Sequence, residues 1–135
     1  MTTLGDILFP PADYRRTTLS LLSWWEARRG TYNLIVGASG LFSLLVIHLI
    51  AWLPPGLPIH TGLQPILAFG LFANVCYTFG WGIEAVMQRV WGQKAPAIGP
   101  ALFRQGLAFS VGLTLLPILL ASFAWVIRVG TILVR

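Results

Sequence analysis

Acidic residues are almost missing from this chain: it has four in 135, namely Asp6, Asp13, Glu26 and Glu84. Acid and base catalysis on paired carboxylates has little to draw on, because no two of them stand close together in the apolar part of the sequence. Cysteine is rarer still. Cys76 is alone, which excludes an internal disulfide and leaves the redox compartment unread. Charge of either sign makes up 10% of residues, where a soluble domain carries roughly a quarter. Also missing are a glycine-rich phosphate loop with its lysine, zinc-ligand spacing and a serine nucleophile elbow. These absences point away from an enzyme and imply no cofactor.

What fills the chain is apolar, 56% of it. Three runs, 33–53, 65–83 and 107–127, contain no Lys, Arg, Asp or Glu. Each has about the 20 residues that an α-helix needs to cross a hydrocarbon layer of ~30 Å at ~1.5 Å per residue. Lipid leaves no water to pair backbone polar groups, so only helices and closed barrels span it, and a barrel needs many short alternating strands. The expected fold is therefore an all-α integral membrane protein with three transmembrane helices. They cover about 33–53, 65–83 with an extension to 91, and 100 or 107 to 127.

A net charge of +5 would raise the question of nucleic acid in a soluble protein. Here the placement of the cations answers it in favour of lipid, and no nucleic-acid partner is expected. Arg15, Arg16, Arg28 and Arg29 precede the first run, and Arg89, Lys94 and Arg104 lie between the second and third. The loop 54–64 has no formal charge. Positive residues are held on the cytoplasmic side, which puts the N-terminus inside and the C-terminus outside. Arg128 and Arg135 oppose this orientation, although Arg128 closes a run and can reach the interface along its flexible stem. Eight arginines against one lysine, with abundant Ala, Gly and Pro, suggest a GC-rich bacterial genome and so a bacterial inner membrane. The twin arginine at Arg15 and Arg16 lacks the hydrophobic residues that would directly follow it in an export signal.

The chain reads as a single membrane domain, with a lead-in and interfacial helix over 1–32 and a three-helix bundle over 33–135. Over 17–30, Leu19, Leu21, Leu22, Trp24 and Trp25 alternate with Ser20, Ser23, Glu26, Arg28 and Arg29. That pattern predicts an amphipathic helix lying on the cytoplasmic face, or one helix running on from about 18 to 52. The breaker run 54–62, Gly92, and the group Pro96, Gly99 and Pro100 mark the turns, and Pro117 predicts a kink inside the third helix.

Candidate functional residues are polar or small groups within the apolar runs. Gly70, Asn74, Thr78 and Gly82 recur every fourth residue and line one ridge of the second helix. Gly106, Ser110 and Thr114 form a similar ridge on the third, and the first offers Ser39 and Ser43. Small residues let another helix approach, and an unpaired Asn74 amide would be costly in hydrocarbon. These ridges read first as seams of the bundle, and second as a face for another copy or another membrane subunit. His48 lies inside the first run as a candidate polar site; haem, metal and a proton relay are weaker readings, since His60 lies in a loop. Glu84 is expected to pair with Arg104, or with Arg89, at the cytoplasmic end. Trp24, Trp25, Arg28 and Arg29 are expected to meet membrane lipids, or else a docking partner. Together these features suggest a non-enzymatic oligomeric or accessory subunit of a membrane complex. A small pore lined by Asn74, Thr78, Ser110 and Thr114 is the first alternative, and a quinone- or cofactor-binding component using His48 the second.

Overall fold

The computed structural model of the chain describes residues 17–58, 62–92, 95 and 97–134. Three helices follow one another: α1, Thr18–Trp52; α2, Leu63–Trp91; and α3, Gly99–Leu133. All three are long and apolar enough to cross a membrane, each containing an 18-residue stretch whose mean hydropathy is 2.3, 1.5 or 2.1 in chain order. The protein is thus an all-α integral membrane protein. With 35, 29 and 35 residues, the helices run to ~44–52 Å and overshoot a hydrocarbon layer of ~30 Å.

Local chemistry sets the helix ends. Thr17 opens α1 with a reciprocal cap, its hydroxyl accepting from the Ser20 N–H at 3.2 Å while the Ser20 hydroxyl accepts from the Thr17 N–H at 3.0 Å. Leu53, forced out of helical conformation by Pro54 behind it, ends α1 in extended backbone. Gly92 ends α2 at φ +57°, a value that L side chains seldom adopt. Pro100 sits in the first turn of α3, where a missing N–H costs nothing. The helix then runs on through Pro117.

The N-terminal amphipathic segment is not a separate interfacial helix. It is the first three turns of α1, continuous through Gly30. The reason is a buried stripe at Leu21, Trp25, Tyr32, Val36 and Ser43, spaced four and seven residues apart, which keeps one face of α1 against the bundle on both sides of Gly30. That face packs chiefly on α3.

Burial is uneven along the bundle. The buried cluster of Leu21, Trp24, Trp25, Tyr32, Tyr77 and Phe103, with their neighbours, occupies the half that carries Arg28 and Arg29. Toward Trp52 the helices expose most of their apolar side chains. Lipid tails are as apolar as leucine, so burying leucine gives no drive for helices to associate there. Aromatic packing and hydrogen bonds hold the arginine end instead.

Candidate functional site

A buried polar contact is assembled by all three helices at the arginine end. Glu84, 5% exposed, comes from α2. One carboxylate oxygen accepts from the Trp25 indole N–H of α1 at 2.8 Å, and the other from the backbone N–H of Gly99 at the start of α3, at 3.1 Å. A helix N-terminus presents unpaired N–H groups and partial positive charge, which suits a carboxylate. Two glycines make this approach feasible. A Cβ at Gly99 would lie 2.5 Å from the Glu84 carboxylate, and a Cβ at Gly80 would lie 2.9 Å from the tip of the Trp25 ring.

Other aromatic rings pack around the Trp25 indole that holds the carboxylate. Trp25 meets Tyr77 edge-on at 5.2 Å and Trp24 at 5.4 Å, with Phe103 at 6.3 Å. The Tyr77 hydroxyl donates to the Trp25 carbonyl. One layer further in, the Tyr32 hydroxyl donates to the Ala73 carbonyl at 3.2 Å and shares a 2.7 Å hydrogen bond with Ser110. Each of these hydrogen bonds joins two different helices and satisfies a hydroxyl that lipid would otherwise leave bare.

Two expectations are corrected here. Trp24 and Trp25 do not face lipid; at 8% and 1% exposure they are core residues. They lie on the stripe shared with Leu21 and Tyr32, and the angular position of a side chain on its helix outranks its general preference for interfaces. Glu84 does not pair with Arg104. The carboxylate turns inward to Trp25 and Gly99, whereas Arg104 is exposed, and the one ion pair among the described residues is Arg29 with Glu26 at 2.7 Å. Arg29 also lies 5.1 Å from the Tyr77 ring centre, and Arg28 covers Trp24 at 3.9 Å while donating to its carbonyl. Both arginines thus seal the aromatic cluster from the polar side.

The predicted ridges split. On α2, Asn74 donates to Asn33 of α1 at 3.0 Å and to the Gly70 carbonyl at 3.0 Å, and Thr78 donates to the Asn74 carbonyl. On α3, Ser110 and Thr114 are buried, Thr114 donating to carbonyls of its own helix. The glycines behave differently: a Cβ at Gly70, Gly82 or Gly106 would find no atom within 4 Å. None of the three described helices uses the space they leave. His48 is exposed, with Nδ1 2.7 Å from the Leu44 carbonyl. His60 lies outside the described residues, among which no three His, Cys, Asp or Glu gather as a metal site would require.

Nearer the Trp52 end, α1 and α2 stand apart over a floor of α3, leaving a groove of about 710 Å³. Its lining is mostly apolar and carries no charged residue. Sequence reasoning did not anticipate the groove, because it depends on how far α2 leans from α1. No family model matches the chain, and neither a curated protein nor a solved structure does.

Proposed function

We propose that this protein is a non-enzymatic subunit of a membrane assembly, formed with further copies of itself or with another membrane protein. The observation that supports this reading is the open space at Gly82 and Gly106. Glycine in a helix interior costs roughly 1 kcal/mol against alanine, and within membranes it is typically offset by close approach of another helix. Among the described residues no such helix stands at those positions. The proposed contact is the α2 and α3 face, where Gly106 lies beside the exposed Cys76 and Phe109; Gly70 opens on the other side of α2, over the groove toward α1, and is not part of that face. In this reading the arginine end is cytoplasmic, the C-terminus is outside, and the host is a bacterial inner membrane, as the charge asymmetry and composition suggest.

The test is the mass of the complex extracted in mild detergent. Wild type is expected to run above the monomer. Gly106→Leu places bulk in the contact and is expected to weaken association by about 1–3 kcal/mol, roughly five- to 150-fold. The helical fold should persist, read as an unchanged circular dichroism spectrum, because a Cβ at position 106 meets no atom within 4 Å. A wild-type chain that is monomeric and brings nothing with it would sink the proposal.

A further inference from the structure

Six apolar residues of α2, Phe72, Cys76, Phe79, Ile83, Val86 and Val90, follow one another at alternating intervals of four and three. That spacing has the 3.5-residue period of a helix packed along a second helix. The six share one stripe, about a third of a turn from Ala73, Tyr77 and Glu84, which α2 buries against its own bundle. Cys76 is exposed, and the other five are 49–66% exposed. Within the uncharged run 65–83, lipid is enough to cover such a stripe. Further on it is not. From Ile83 to Val90 the helix rises ~10 Å, while the headgroup layer outside the hydrocarbon is ~5–7 Å thick. The stripe stays apolar through that rise, with Val86 and Val90 exposed on a stretch that also carries Glu84, Gln88 and Arg89. At the same end of the bundle the other helices differ. On α1 the same spacing through Leu19 and Leu22 runs into Glu26 and Arg29, and the exposed residues of α3 before Leu107 are Ala101, Arg104, Gln105 and Gly106. A stripe that outlasts the lipid calls for a protein to cover it.

Register and charge narrow the occupant. In heptad terms Cys76, Ile83 and Val90 take position a, and Phe72, Phe79 and Val86 take position d. β-Branched residues at a favour a parallel pair of helices over larger bundles. Copies of one chain carry the same cations and insert the same way round, so a second copy presents α2 in parallel. Each level of the stripe then meets itself, apolar on apolar from Phe72 to Val90, with no charge along it. Arg89, the nearest cation, falls at g. In a two-fold pair g faces e of the other helix, where Ala73, Gly80 and Met87 are uncharged, and the two arginines stay on opposite sides. The same symmetry turns the Gly106 side of one copy, next to Cys76 and Gly80, toward the Gly82 side of the other. We infer that the partner is a second copy of this chain, docked in parallel along α2 about a two-fold axis that brings the two Cys76 side chains face to face. This rests on the reading that the α2 and α3 face is a contact, and it names the occupant of that face.

The test is disulfide cross-linking of the full-length chain in native membranes, with copper phenanthroline as catalyst and oxygen as oxidant. Cys76 is the chain's single cysteine, and wild type is expected to give a band at twice the chain's mass that dithiothreitol removes. Cys76→Ser should give none. In that background Phe79→Cys, Ile83→Cys and Val86→Cys should each link about tenfold faster than Leu71→Cys, which is 71% exposed but lies off the stripe. Val90→Lys sets like charges against each other at a helix end that tolerates a cation, and should slow linking through Cys76 about five- to tenfold with an unchanged circular dichroism spectrum. If Val90→Lys fails to fold, the cysteine series decides alone. Equal linking at Leu71→Cys would mean random collision in the bilayer and would overturn the inference. So would a Cys76 joined to a chain of different mass, or linking indifferent to Val90→Lys. A complex that runs above the monomer in detergent yet does not link through Cys76 removes the second copy from this face and leaves the assembly standing, whereas a monomer that brings nothing with it removes both.

Discussion

Trp25→Ala is expected to cost the bundle about 3–5 kcal/mol, the range for emptying a large aromatic site in a packed core. The indole is 1% exposed and touches three other rings, so its removal leaves a void that rigid helices cannot close. It also withdraws one of the donors that hold the Glu84 carboxylate. Trp25→Phe separates the two effects. It keeps most of the ring contact, deletes the N–H, and is expected to cost about 1–3 kcal/mol for the donor lost to a buried acceptor. Unfolding by SDS in mixed micelles, followed by circular dichroism, measures both. An interfacial anchor would behave in another way: its loss would alter membrane depth and leave helix association intact. Should Trp25→Ala unfold within 1 kcal/mol of wild type, the aromatic cluster is not what holds the helices together.

The spans and turns were legible because their causes are local. An uncharged run of about 20 residues admits one solvent, and Pro54, Gly92 and Pro100 act on their own backbone neighbours. Trp24 and Trp25 were misread because composition was weighed above phase. Beside Arg28 and Arg29 an indole pair resembles an interface belt, yet the four-and-seven spacing through Leu21, Trp25, Tyr32, Val36 and Ser43 was already in the sequence and indicates a single buried stripe. Glu84 was beyond reach for a different reason. Its partners lie on two other helices, 59 residues before it and 15 after, and which of them it meets depends on helix rotation and tilt. The faint clues were glycines: Gly80 stands where Trp25 packs, and Gly99 where the carboxylate lands. Asn74 was recognised as a group in need of a partner, but its partner, Asn33, was not, because a register between helices is not written in either one.

The same geometry makes Glu84 the second position of large effect. Glu84→Ala removes an acceptor from two buried donors at once, the Trp25 indole N–H and the Gly99 N–H, each costing about 1–3 kcal/mol when left bare. A loss of roughly 2–6 kcal/mol is expected. Glu84→Gln keeps the shape but turns an N–H2 toward one of the two donors, so about half of that loss should remain. Position 104 separates this account from an interfacial ion pair. An exposed arginine that holds nothing in the core should be replaceable by alanine within about 0.5 kcal/mol, whereas a partner of Glu84 would reproduce the Glu84 loss. Coupling supplies the stricter check. Trp25→Phe and Glu84→Gln act on one hydrogen bond, so the double variant should lose less than the two single losses combined, by about 0.5–3 kcal/mol. Simple additivity in that cycle would mean the carboxylate and the indole do not stabilise each other, and the three helix ends would then need some other tie.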